Sequence, residues 1–275
     1  MDLDFSEDEI SRYARHILLR EVGGTGQARL KAARVLVLGA GGLGSPLVLY
    51  LAAAGVGTIG IVDDDRVELS NLQRQIAHRT AEIGRPKAHS AAEAAAAINP
   101  AVRVEPHATR LTAANAAALF DRYDLVCDGT DNFATRFLAA DACMLGRRTL
   151  ISAAVLRFEG QLSTFKPHLH ADGPCYRCLH PEPPPDGLVP SCGEAGVLGA
   201  VTGVVGTLQA TEALKEIMGI GDSLSGRLLI WDALAARFRS VRLRRDPGCA
   251  LCGEAPRIRD LSAHERAATP DACRV

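Results

Sequence analysis

The chain has 275 residues, of which 47% are hydrophobic and 4% aromatic, and a formal net charge of -1. This suits one soluble domain with a sizeable core and argues against a nucleic-acid platform, which wants basic stripes and stacking rings. Met1 to Ile10 is acidic rather than a basic and apolar leader, so a cytoplasmic location is expected; there, eight cysteines read as metal ligands or reactive thiols rather than as a disulfide framework.

Asp8 to Lys31 reads as helical segments interrupted at Gly23-Gly24, with Ile10, Tyr13, Ile17 and Leu18 on one stripe. Val35 to Leu38 is a short apolar run bounded by glycine, which suits a strand buried on both faces. Gly39-Ala40-Gly41-Gly42-Leu43-Gly44 then matches G-x-G-x-x-G, and Leu47 to Ala54 continues as a helix that Gly55 can close, with Pro46 tolerated in the first turn. Thr58 to Val62 reads as the second strand. Asp63 at its end lies near the spacing expected of a ribose-binding acid. Glycines let a backbone approach phosphate, and the free N–H groups of a helix start favour negative charge there.

The loop Asp63 to Gln75 is more polar than the connector that usually follows this strand in a dehydrogenase. A triphosphate needs several cations and a metal. Arg74 and Lys87 can supply the positive charge and Asp131 a magnesium ligand, although solvated surface is the ordinary fate of such lysines and arginines. Pro86 to Ile98 reads as a helix stopped by Asn99-Pro100, Val102 to Glu105 as a strand, Ala113 to Phe120 as a helix, and Leu125 to Cys127 as a strand leading into Thr130-Asp131-Asn132. The alternation predicts an α/β fold, a doubly wound Rossmann-like sheet that binds its ligand at the carboxyl ends of the strands, with Asp63 and Asp131 on one rim. Cys127 and Cys143 read as core residues.

Arg148 to Val155 is a fifth strand. Glu159 to Phe165 alternates and so predicts a half-exposed antiparallel strand. Cys175-x-x-Cys178 and Cys249-x-x-Cys252 together offer four thiolates, the set that closes a tetrahedral structural zinc; redox dithiols are the competing reading, disfavoured because neither pair opens a thioredoxin-like helix. His168, His170 and His180 then read as surface residues. Pro181 to Pro190 must be an extended loop. Ala195 to Thr211 lacks charge but is too short and glycine-rich for a membrane span, and reads as a helix packed in the core or between protomers. Arg227 to Trp231 and Arg237 to Leu243 extend the antiparallel half. After Gly253 a frayed polar tail is expected.

The runs Gly39 to Gly44, Leu69-Ser70-Asn71-Leu72-Gln73-Arg74-Gln75, Gly84-Arg85-Pro86-Lys87, Thr130-Asp131-Asn132, Pro174 to Cys178 and Ser191 to Val197 resemble the ThiF/MoeB/HesA adenylyltransferases. The likeness covers about Arg12 to Gly253. It implies ATP-dependent activation of the C-terminal glycine of a ubiquitin-like sulfur-carrier protein as an acyl-adenylate. It also implies that Arg15 reaches the nucleotide site of the other protomer in a homodimer, and that Cys192 occupies the position of a thiol able to take the activated carrier. Some relatives carry a rhodanese domain that is not expected in this sequence, so sulfur is expected to arrive from a separate sulfur-donor protein or to be loaded after release.

A carboxylate is already a nucleophile at neutral pH, so no histidine dyad or serine triad is needed; cations, a metal ligand and positioning groups suffice. Asp63 is assigned to the ribose; Gly41, Gly42, Ser70, Asn71 and Arg74 to the nucleotide and its phosphates; Lys87 to phosphate charge; Asp131 and Asn132 to magnesium and the reacting centre. Residues 1–253 are expected to form one adenylation domain, its nucleotide half at about 32–155 and its antiparallel, zinc-bearing half at about 156–253. A nicotinamide-dependent oxidoreductase, a non-catalytic scaffold and an enzyme adenylating a carboxylate on RNA are the alternatives.

Overall fold

The computed structural model describes residues 5–170, 172–185 and 195–265. The helices α1 (Glu7–Ile17) and α2 (Gly23–Ala32) lead into β1 (Arg34–Leu38), α3 (Gly44–Ala54) and β2 (Thr58–Val62). Side chains alternate along β1, so Val35 and Val37 join the core beneath α3 while Leu36 and Leu38 join the core on the opposite face. That two-sided burial explains why the strand is written as an unbroken apolar run. Gly55 closes α3 in the left-handed conformation, at φ 80°.

The chain continues through α4 (Lys87–Ile98), β3 (Arg103–His107), α5 (Ala113–Phe120), β4 (Leu125–Asp128), α6 (Phe133–Leu145), β5 (Thr149–Leu156) and β6 (Glu159–Phe165). A single turn α7 (Tyr176–Leu179), the long helix α8 (Gly199–Met218), the hairpin β7 (Arg227–Asp232) and β8 (Arg237–Arg242), and a last turn α9 (Ser262–Glu265) complete it. The eight-stranded sheet has the order β3-β2-β1-β4-β5-β6-β7-β8. Strands β1 to β5 run parallel, and β6, β7 and β8 are antiparallel. The chain winds outward from β1 to β3 and then returns to place β4 on the other side of β1, opening a crevice at the carboxyl ends of β1 and β4.

Several expectations need correction. On α1 only Tyr13 is buried; Ile10 and Leu18 are exposed, so the predicted apolar stripe does not face the core of its own chain. The third strand starts one residue later and runs to His107, and α6 between β4 and β5 was not anticipated. Strand β6 is largely buried, because α8 lies against it and Phe165 packs on Tyr176. Its hydroxyl positions are satisfied inside: Thr164 donates to Glu212 at 2.9 Å and Ser163 to the Arg227 carbonyl at 2.8 Å. Alternation therefore misread a strand with two covered faces.

The helix begins at Gly199 and ends at Met218, later at both ends than the uncharged stretch Ala195 to Thr211, and its last two turns carry Glu212, Lys215 and Glu216. A Cβ at Gly206 would stand 2.4 Å from the Leu43 carbonyl oxygen, so that glycine serves packing on α3 within the chain. No helix among the described residues is long and apolar enough to cross a membrane. His168 and His180 are half-buried rather than surface residues, and His180 leans on Tyr176 at 5.0 Å between ring centroids. The described part of the expected tail is anchored: His264 Nε2 lies 2.8 Å from the Asp141 carboxylate.

Candidate active site

Gly39 takes φ 88°, a left-handed value that turns the chain out of β1 toward the rim. A Cβ on Gly44 would sit 1.8 Å from the Gly39 carbonyl oxygen, so only glycine lets helix and turn close on each other. Here the second-strand acid acts in a way that spacing does not show. Asp63 accepts the Ala40 N–H at 2.7 Å and the Asp65 N–H at 2.9 Å, tying the end of β2 to the turn after β1. Burial raises its carboxyl above the ordinary value, against the Ala40 N–H and the charge of Lys87, which both lower it.

A cleft of about 300 Å³ opens above this turn. Gly39, Gly41, Gly42, Asp63, Arg74, Lys87, Asp131 and Asn132 line it, so most of the sequence-predicted residues converge. Gly44 lies beneath the turn rather than in the cleft, and Ser70 and Asn71 stay outside its lining. Both belong to a short 3-10 turn whose groups hold the segment: the Ser70 carbonyl accepts from Arg74 at 3.2 Å, and Asn71 accepts from Gln75 at 3.0 Å. Arg15 is exposed on α1 and does not line the cleft of its own chain. Cys192 lies outside the described residues.

The rim carries balanced charge. Asp63, Asp64, Asp65 and Asp131 face Arg74, Lys87, Arg110 and Arg136. Lys87 is buried, and its ammonium group donates to the exposed Asp65 at 2.7 Å. Asp131 is exposed and makes no side-chain hydrogen bond or ion pair among the described residues, which leaves its carboxylate available to a cation. The Asn132 side-chain oxygen instead accepts the Thr135 N–H at 2.9 Å and caps α6, so that oxygen is already engaged.

Sequence reasoning missed Asp64, Asp65, Gln75, Arg110 and Arg136. Arg110 follows β3 on the same rim as Asp63, which topology alone signals. Arg136 sits in the first turn of the unanticipated α6 and donates to the Thr130 carbonyl, bracing the loop that carries Asp131.

A second cluster gathers Cys175, Cys178, Cys249 and Cys252, with all four sulfurs within 4.8 Å of one another. Neighbouring sulfurs stand 3.4 to 3.8 Å apart. A tetrahedron with metal–sulfur bonds of about 2.3 Å has edges of about 3.8 Å, so the four thiols fit such an ion. Cys175 precedes only the single four-residue turn α7, which is no thioredoxin-like helix, and the convergence of both pairs favours a metal over a dithiol. Hydrogen bonds from the Cys175 and Cys252 thiols, with help from the Asp246 N–H, hold the Cys178 thiol below its ordinary value. By contrast Cys127 and Cys143 are inert core residues, their thiols raised by burial.

A model described as the ThiF family matches residues 13–251. A sulfur carrier protein adenylyltransferase of Thermus thermophilus is 51% identical over 95% of this chain and 97% of that protein. The adenylyltransferase and sulfurtransferase MOCS3 of Bos taurus is 54% identical over 98% of this chain, and the probable adenylyltransferase/sulfurtransferase MoeZ of Mycobacterium tuberculosis 52% identical over 95%. The chain spans 59% and 65% of the lengths of those two proteins. A crystal structure of E. coli MccB with AMPCPP and MccA superposes with a TM-score of 0.77 at 21% identity, over 91% of this chain and 76% of that one. At that identity the likeness concerns the fold alone. A match across most of the chain, agreeing with the glycine turn, the charged rim and the four-thiol cluster, leads to one conclusion: the chain belongs to the ThiF family.

Proposed function

We propose that the chain is an ATP-dependent adenylyltransferase that activates the C-terminal glycine carboxylate of a ubiquitin-like sulfur-carrier protein. The observation that carries this reading is the meeting of four cationic and four acidic side chains over the glycine turn. A pyrophosphate-bridged dinucleotide needs fewer cations, which weighs against the nicotinamide reading. ATP would lie with its ribose toward Asp63 and its phosphates over the Gly41 and Gly42 N–H groups, with Arg74 and Lys87 answering phosphate charge.

The carrier's carboxylate attacks the α-phosphorus in line, an acyl–phosphate bond forms, and the bond to the β-phosphate oxygen breaks as pyrophosphate leaves. No proton is removed in this step, so the rim's work is orientation and charge stabilisation. Magnesium held by Asp131 would neutralise charge on the phosphates. Lys87 must share its ammonium group between Asp65 and the incoming phosphates, so Asp65 sets the charge it presents.

Zinc in the Cys175, Cys178, Cys249 and Cys252 cluster would be structural, since four thiolates leave no open position. A homodimer in which Arg15 completes the partner's cleft is part of the same reading, and the exposed Ile10 on α1 and Leu18 just after it are consistent with it. Cys192 would receive the activated carrier, and a separate protein would bring sulfur. A cytoplasmic setting suits these partners. The decisive measurement is ATP–pyrophosphate exchange with purified carrier and magnesium, joined to mass spectrometry of the carrier. An added AMP on its terminal glycine is the expected result, and unmodified carrier without exchange would sink the proposal.

A further inference from the structure

His78 is buried between α4 and the glycine turn, and both its ring nitrogens are engaged. Nε2 lies 2.9 Å from the Ala40 carbonyl oxygen, and Nδ1 lies 2.7 Å from the Ser90 hydroxyl. A carbonyl can only accept, so Nε2 carries the hydrogen; Nδ1 shares the Ser90 hydroxyl with the Glu82 carboxylate, to which Ser90 donates at 3.0 Å. Burial lowers the imidazole's pKa and keeps it neutral at physiological pH. The Ala40 peptide groups are therefore held from two directions, by Asp63 at the N–H and by His78 at the carbonyl.

The geometry points to His78 as a positioning residue for the nucleotide: by holding the Ala40 carbonyl, it aims the Gly41 N–H into the cleft. The peptide that joins Ala40 to Gly41 is planar and trans, so its N–H points opposite to its C=O. With the carbonyl drawn toward His78, the Gly41 N–H must point away from it. Gly41 lines the cleft, and its N–H finds no acceptor among the described residues. It is thus a preset donor for an anionic oxygen, in a glycine turn that without this hold has the freedom to rotate its peptide. His78 touches neither nucleotide nor carrier and acts through the backbone.

This inference rests on the adenylation reading, and the test separates the two. The side-chain nitrogen of glutamine falls near the place of Nε2, whereas that of asparagine falls near Nδ1. MgATP affinity by calorimetry, ATP–pyrophosphate exchange with the carrier, and melting temperature should be measured for the parent chain and for His78→Ala, His78→Gln and His78→Asn. Loss of one oriented hydrogen bond predicts that His78→Ala and His78→Asn raise KM and Kd for MgATP about 10-fold, with kcat within about 3-fold. His78→Gln should restore KM to within about 3-fold of the parent, a difference smaller than one hydrogen bond. If Gln and Asn variants of similar melting temperature behave alike, or if none changes KM, the positioning role is overturned. If the parent itself neither binds MgATP nor exchanges, the adenylation reading falls and takes this inference with it.

Discussion

The rim of the parallel half and the thiol-bearing flank of the antiparallel half handle polar groups in opposite ways. At the rim, among the described residues, Asp131 has no side-chain partner and Lys87 is paired only to an exposed aspartate. At the flank, polar groups are matched internally. Asp141, fully buried, accepts from Arg177 at 2.7 and 2.8 Å and faces His264 at 2.8 Å; Arg177 in turn donates to the Pro181 carbonyl at 3.0 Å. Charges kept incompletely satisfied on a stiff scaffold belong to a ligand, whereas charges satisfied inside belong to the fold.

Perturbing each region in turn breaks or sharpens this contrast. The largest effect expected is on the flank. Structural zinc sites carry apparent binding energies of about 10 kcal/mol or more, so Cys178→Ala should lose the metal and unfold the thiol-bearing segment, as seen by metal analysis and hydrogen exchange. Retained metal with an unchanged melting curve would contradict the site. Next, Asp141→Ala strands the buried Arg177 and should cost about 3–5 kcal/mol in urea unfolding. The residual folded fraction should keep its nucleotide affinity.

At the rim, the converse pattern is expected. Asp131→Ala should lower ATP–pyrophosphate exchange about 100- to 1,000-fold, while metal content and urea midpoint stay at parental values. Loss of stability alongside activity would blur the distinction between the two regions. The smallest effect concerns pH. Burial holds His78, His168 and His180 below the ordinary histidine value of about 6.5. The unfolded chain therefore binds more protons than the folded one just under that pH, and acid favours unfolding. Melting temperature should fall as pH drops from 7.5 to 5.5, and His78→Gln should flatten that fall. A melting temperature that rises over this interval would reject the assignment.

The parallel core was legible wherever one local signal determined the outcome. Thr58–Val62 and Ala113–Phe120 occupy the residues predicted, because apolar runs bounded by glycine or turn residues offer no competing arrangement. Helix α6 was obscured because its first turn, Phe133 to Arg136, reads as a continuation of the preceding Asp-Asn loop, and only the Asn132 cap shows that the helix starts there. The burial of β6 depends on α8, whose first residue is 34 positions beyond the strand's last. No pattern within a strand reports a helix laid on it from that distance.

Spacing and residue type alone determined the glycine turn, the acid after the second strand and each of the two Cys-x-x-Cys pairs, because each is a local chemical requirement written in consecutive or nearly consecutive residues. Only the tertiary structure decided that Asp63 also tethers the turn, that Arg110 and Arg136 join the rim, that Asn132 is engaged as a cap, and that His78 grips Ala40 from 38 residues away. Those roles arise where parallel strands end side by side. The winding of the sheet brings such ends together, and no short stretch of chain encodes that winding.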